Sequence, residues 1–292
     1  MSALAAGAVG WGVHVNVNTT LEFTMKFTKT IALALAAGVV ASSAFAEEEA
    51  PAFGAYAGTV YKNGYISNGY LFADEQVLQS YAGVTFAGFD LNVWNSYGLE
   101  DGSYADSPAS EIDYELDYGF SVDDFDFGLG VAAWCYPHTD DSFDDWVAKA
   151  SVAYGGWFVR PELNARFGLE GQQGCYGQFK LSKSFDLSED VAPGVSFDVY
   201  GLIGAASKSY RAKKGVRDEA GNWLYKNVDK DGLVDAEFGA KLGYELSSNA
   251  SVNIGVQYAV IVDSDLRDYC GLVQADGDKD HFLYFAGADI WF

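Results

Sequence analysis

Residues 110–122 read SEIDYELDYGFSV, and their alternation decides what fold the chain can adopt. Ile112, Tyr114, Leu116, Tyr118, Phe120 and Val122 fall on one parity; Glu111, Asp113, Glu115, Asp117, Gly119 and Ser121 fall on the other. A helix would scatter those charges around its circumference, whereas a strand segregates them to one face. The same period of two runs through LVDAEFGAKLGYEL (233–246). There Val234, Ala236, Phe238, Ala240, Leu242, Tyr244 and Leu246 oppose Asp235, Glu237, Gly239, Lys241, Gly243 and Glu245. SVNIGVQYAV (251–260) and HFLYFAGADIWF (281–292) repeat it.

About twelve such strands are predicted: 53–61, 77–86, 89–97, 110–122, 125–136, 145–154, 157–167, 174–185, 195–207, 233–246, 250–262 and 281–292. Many exceed the usual strand length of about five or six residues and match the roughly 9 to 11 that a tilted spanning strand needs. Their connections alternate. Short links fall at 87–88, 123–124, 155–156, 187–194 and 247–249, with longer polar segments between them. Short turns at one end and long loops at the other describe an antiparallel up-and-down barrel. Pro161, inside WFVRPELNARF, removes a ladder hydrogen bond, so a local bulge is expected there.

Composition points the same way. The chain has 33 Gly, 19 Tyr, 20 Phe and 7 Trp but 5 Pro, a mixture that suits strands better than helices. A net charge of −23 excludes nucleic acid as a partner, since phosphate contacts need clustered Lys and Arg. No apolar run is long enough for a transmembrane helix. Residues 25–46, MKFTKTIALALAAGVVASSAFA, read as a secretory signal peptide: Lys26 and Lys29, an apolar stretch, then Ala44-Phe45-Ala46 as the cleavage site. Residues 1–24 read as an over-extended start, and 47–292 as the barrel. Cys135, Cys175 and Cys270 allow one disulfide with one thiol over, and their spacing suggests no zinc site.

Alternation alone does not say which face is outside. In a soluble sandwich the apolar face packs inward; in a membrane barrel it meets lipid. Strand length, aromatics near strand ends, and a polar parity rich in Gly and both charge signs favour the second. The expectation is an all-β, membrane-spanning, antiparallel up-and-down barrel of about 12 strands. It would be exported by the signal peptide to the outer membrane of a Gram-negative-type envelope and embedded in outer-membrane lipid.

Residues 54–101, from GAYAGTVYKNGYISNGYLF to NVWNSYGLED, resemble the start of the TorF-like porins of bacterial outer membranes. Those open with a small-residue strand, an aromatic-x-Ser-Arg-Gly turn and a hairpin ending in an aromatic-rich strand. Here the turn is Tyr65-Ile66-Ser67-Asn68-Gly69, with Asn68 in place of the Arg, and the hairpin closes on Asn92-Val93-Trp94. The resemblance implies a small porin-like barrel passing small hydrophilic solutes or ions by diffusion. The last strand resembles the C-terminal signal read by the barrel-assembly machinery, with Tyr284, Ile290, Trp291 and Phe292 as its residues.

In such a barrel the polar parity would line the lumen. Its acids are Asp113, Glu115, Asp117, Glu162, Asp198, Asp235, Glu237 and Asp289; its bases are Arg160, Arg166, Lys180 and Lys241. Charges so placed set ion preference, and the excess of acids favours cations. The competing reading is that they pair across the interior and close it, leaving a structural or adhesive barrel that works through its loops. The basic cluster Lys208, Arg211, Lys213, Lys214 and Arg217 reads as a solvated loop that could also meet surface phosphates. Residues 227–232, NVDKDG, match half a calcium loop, but Phe238 stands where the twelfth ligand belongs, so a turn explains them better. Asp276, Asp278 and Asp280 are the other acids such an ion would use. An outer-membrane hydrolase would have to use His138, with Ser142 nearby, or His281, and no GxSxG context supports it. No enzyme, cofactor or metal is expected.

Overall fold

The computed structural model describes residues 53–99, 111–136, 145–170, 174–213, 230–267 and 280–292. Residues 1–46, expected to hold an over-extended start and a signal peptide, lie outside the described residues. Twelve strands close into one antiparallel barrel. In chain order they are β1 (Phe53–Lys62), β4 (Val77–Phe86), β5 (Phe89–Gly98), β6 (Glu111–Val122), β7 (Phe125–Cys135), β8 (Asp145–Tyr154), β9 (Arg160–Glu170), β10 (Cys175–Asp186), β11 (Val195–Ala206), β12 (Gly232–Ser247), β13 (Ala250–Ile261) and β14 (Asp280–Trp291). Between β1 and β4 a separate hairpin forms from β2 (Tyr65–Ser67) and β3 (Tyr70–Ala73). One short helix, α1 (Lys208–Lys213), follows β11.

The seam closes between the first and last strands. β1 pairs with β4 on one side and β14 on the other, and Phe292 exchanges backbone bonds with Ala55 at 2.8 and 3.2 Å. No sheet edge is then left among the twelve strands, which is the condition for a sheet to sit in hydrocarbon. The tight turns carry the backbone that two-residue hairpins require: Ala87 and Gly88 both have positive φ, at 51° and 83°.

Period two survives as geometry. Phe238, Ile254 and Leu163 are 58%, 59% and 52% exposed, and comparable apolar side chains stand outward on neighbouring strands. The opposite parity points inward, where its groups bond one another. A continuous apolar exterior of this extent suits lipid rather than water.

Two expectations need correcting. β9 begins at Arg160 rather than 157, and Pro161 causes no bulge. Pro161 pairs in register with Leu181 of β10, while the β8 ladder stops at Glu162, so the missing N–H breaks no bond on the β8 side. Val234 also leaves the outward set. The β11–β12 register shifts between Ile203 and Ala205, and this irregularity lets Val234 pack inward beside Asp235.

Candidate functional site: the lumen and the hairpin across it

The loop between β1 and β4 folds into the barrel. In the circular strand order, β9 lies six places from β1 and so stands opposite it. Asn68, at the tip of the β2–β3 hairpin, reaches that far wall: Arg166 Nη1 of β9 donates to Asn68 Oδ1 at 3.2 Å. Asn68 Nδ2 in turn donates to the Tyr210 hydroxyl of α1 at 2.7 Å. The hairpin therefore spans the lumen near its long-loop end.

Local chemistry makes this shape. Asn68 and Gly69 have φ of 53° and 78°, the left-handed pair that a tight hairpin turn needs. Gly69 has a second reason: a Cβ there would collide with Asp235 and Ile261. The flanks are apolar where they dock. Ile66 packs with Ala259 and Leu283, and the Tyr65 ring meets Phe72 and Trp94 at 5.3 and 5.7 Å. Tyr65 donates to Glu111 Oε2 at 2.8 Å, and Tyr136 donates to Glu111 Oε1 at 3.2 Å. Burial, reinforced by the Glu111 charge, raises both tyrosine pKa values, so each hydroxyl keeps its proton and remains a donor.

The hairpin fills one side of the lumen and leaves the other open. Toward β10–β13, a buried cluster of Tyr70, Tyr176, Ala206, Tyr210, Val234, Ile261 and Leu266 closes the mouth. Leu266 is held by a short helical turn whose N–H groups at 265 and 266 bond to Asp263 Oδ1 at 3.0 and 3.1 Å. Toward β5–β9 lies a chamber of about 330 Å³, walled by Tyr65, Trp94, Trp134 and Tyr136, with Glu111, Asp113 and Glu115 facing Lys149 and Arg166. A second chamber of about 490 Å³ opens toward the short-turn end and reaches Gly88, Asp90 and Gly119. Lys149 and Arg166 line both, so the two chambers meet at these side chains.

The charged residues read from sequence fall on the inward parity, and most have partners. Glu115 and Asp117 bind Lys149 at 3.2 and 2.8 Å. Arg160 binds Asp126 at 2.7 Å, Lys180 approaches Glu162 at 3.8 Å, and Lys241 binds Asp198 at 3.0 Å. Arg166 lies over the rings of Trp134 and Tyr176, at 5.7 and 5.8 Å. Asp235 accepts from Tyr176 at 2.8 Å, Glu237 accepts from Tyr200, and Asp289 accepts from Tyr81 and from Asn253 at 3.1 Å. Among the described residues, nothing forms a hydrogen bond with the buried Asp113 Oδ1 or Asp235 Oδ2.

Sequence reasoning missed three contributors. Lys149 sits on the polar parity of β8 between Val147 and Ser151, and that lone base in an apolar strand was the available signal. The inward tyrosines, Tyr56, Tyr81, Tyr176 and Tyr200, counted only as aromatics, yet their hydroxyls bind carboxylates. The 62–76 segment carries no signal of its own in the sequence, because a polar loop folded inward has the composition of one folded outward.

The four residues expected to form an assembly signal divide by face. Tyr284, Ile290 and Phe292 point outward at 51%, 45% and 77% exposure, while Trp291 lies on the inner parity and pairs with Tyr56. His281 is buried on the inner parity of β14; His138 and Ser142 lie outside the described residues. Cys175 is a free thiol, and Cys270 lies outside the described residues. Of the NVDKDG segment, Asp231 accepts from the α1 backbone at Lys208, 2.6 Å away, and Lys230 pairs with Asp263 and Asp265 at 3.3 and 2.6 Å. Asp280 accepts from Tyr258 at 2.5 Å at the rim; Asp276, Asp278, Lys214 and Arg217 lie outside the described residues, as do the side chains of Arg211 and Lys213.

No family model matches the chain, and no curated protein does. Among solved structures, the NanC porin aligns with a TM-score of 0.46 at 10% identity, covering 82% of this chain and 99% of that one. The KdgM porin gives 0.47 at 9% identity, with the same coverage. An outer membrane channel from Pseudomonas putida F1 gives 0.43 at 11%, covering 84% of this chain and 97% of that one.

Proposed function

We propose that this chain is a porin-like channel of the outer membrane that passes small hydrophilic solutes or ions by passive diffusion, with a mild preference for cations. One observation carries the reading. Two polar chambers, of about 330 and 490 Å³, meet at Lys149 and Arg166 inside a closed barrel whose exterior is apolar. A solute entering from the long-loop end would pass between the hairpin and the β5–β9 wall. There it meets Glu111, Asp113 and Glu115 on one strand, with aromatic rings beside them. Carboxylates outnumber the two bases at this passage, which supports the cation preference. The TorF-like resemblance of residues 54–101 belongs to the same proposal, as do the Tyr284–Phe292 assembly signal and residues 25–46 as the export signal.

Passage needs no chemistry from the protein. The inward residues act by charge and size: they replace part of a solute's hydration shell and repel what does not fit. The test is unitary conductance of refolded protein in a planar bilayer, with the reversal potential measured across a potassium chloride gradient. Discrete steps with a cation-selective reversal potential are expected, and silence at every voltage would refute the channel. A second reading, a barrel with a closed lumen, is favoured by the Asn68–Arg166 bond that fastens the hairpin across the interior. The same recording separates the two.

A further inference from the structure

Among the described residues, three uncharged polar side chains lie together on the otherwise apolar exterior. Thr59 of β1 is paired with Ser80 of β4, and Ser80 with Asn95 of β5, forming one cross-strand row. Their neighbours in sequence point inward: Gly58 faces Tyr81 and Asp289, and Trp94 meets Tyr65. The row therefore faces outward, and Thr59 and Asn95 are exposed. Away from strand ends, the outward positions of the other described strands carry only apolar or aromatic side chains, with one exception. That exception, Lys183, lies near the short-turn rim, 4.4 Å over the Phe158 ring.

The row is bonded mostly to itself. Thr59 Oγ1 and Ser80 Oγ are 3.1 Å apart, and Ser80 N donates to Asn95 Oδ1 at 3.1 Å. The two N–H groups of the Asn95 amide have no partner among the described residues. On a soluble protein, water would take them. Here the row lies two positions inside Tyr61 and Tyr97 of the long-loop rim, where the exterior faces lipid, and unpaired amide donors are costly in hydrocarbon. Three of its immediate outward neighbours are small, Ala57, Ala82 and Ala288, while Tyr61, Leu78, Val93, Tyr97 and Ile112 border it on the remaining sides. Leu163, Phe179 and Phe238 stand outward on strands farther round the barrel. Small residues let another backbone come close, and polar ones then hold it.

We propose that the β14–β1–β4–β5 face docks a second copy of this chain. The occupant follows from the chemistry. A carboxamide and two hydroxyls both donate and accept, so the patch is complementary to itself, as a contact between identical surfaces requires. The face carries no charge that would repel a like partner, whereas a purely apolar partner would leave the Asn95 donors unpaired. This inference rests on the lipid-facing exterior proposed above.

The experiment is sedimentation and native mass spectrometry of the full chain in mild detergent, over a series of protein-to-detergent ratios. Wild type is expected to form dimers. The triple variant Thr59→Val, Ser80→Ala, Asn95→Leu is expected to weaken association by roughly tenfold or more. Leu163→Ala, on a distant wall, is expected to leave it unchanged. If the triple variant does not fold, judged by loss of heat-modifiable migration, Asn95→Ala alone decides by the same readout. A wild type that is monomeric at every ratio overturns the proposal, as does a variant that associates like wild type. A chain that stays dispersed without detergent refutes the membrane reading itself, whereas a monomer that conducts in bilayers refutes only the docking face.

Discussion

Replacing Asn68 by alanine should unfasten the luminal hairpin. The substitution removes two bonds at once: the one received from Arg166 at 3.2 Å and the one donated to Tyr210 at 2.7 Å. The bond to Tyr210 sits where water does not compete, since Asn68 is 8% and Tyr210 2% exposed, while the Arg166 bond is part-buried beside the two chambers. A bond to a charged group contributes about 1.5–3 kcal/mol and a neutral one about 0.5–1.5 kcal/mol, so the docked state loses about 2–4.5 kcal/mol. At about 1.4 kcal/mol per factor of ten, the undocked population rises roughly 30- to 1,600-fold. Alanine is also less at ease than asparagine at a φ of 53°, which adds to the effect. Tyr65 and Ile66 still hold the base of the hairpin, so the outcome should be frequent excursions to larger conductance rather than a permanently open pore. Single-channel recording in a planar bilayer reads this directly. Arg166→Ala should act in the same direction, and the double variant should show less than the sum, because the two substitutions share a bond. Unit conductance and open-state lifetimes indistinguishable from wild type would refute the reasoning, since the hairpin would then not obstruct the path.

Lys149→Gln removes the base that holds Glu115 and Asp117 and should move the reversal potential toward stronger cation selectivity; Asp117→Asn should move it the other way. Gly69→Ala places a methyl against Asp235 and Ile261 at a φ of 78°, so it should loosen hairpin docking and expose residues 63–76 to protease in folded protein. Alkaline pH should release the hairpin. The Tyr65 and Tyr136 pKa values are raised by folding, so their contribution is complete below the ordinary tyrosine value of about 10 and is lost as pH climbs beyond it. Conductance compared just below and well above that value checks this, and Tyr65→Phe should blunt the change. Deleting Phe292 removes two backbone bonds to Ala55 at the seam and should lower the yield of heat-modifiable, folded barrel.

Much of this architecture is written in neighbouring residues. Side chains alternate across a strand whatever its partners are, so Glu111, Asp113, Glu115 and Asp117 could be placed on one face of β6 from the chain alone. Strand lengths, the alternation of short and long connections and the twelve-strand count follow from the same local signal. Which face meets lipid needs more than the alternation: strand length, aromatics near strand ends and a polar parity rich in Gly and both charge signs carry it.

The contents of the lumen were decided elsewhere. Asn68 and Arg166 are 98 residues apart, and nothing near either one names the other; closure of the barrel sets β9 opposite β1 and brings them together. The inward turn of the first loop, the pairing of Lys149 with two acids and the shift that drew Val234 inside depend on register and on space, which exist only after the strands have met. A single strand carries its own two faces. What crosses the interior between them is a property of the closed ring.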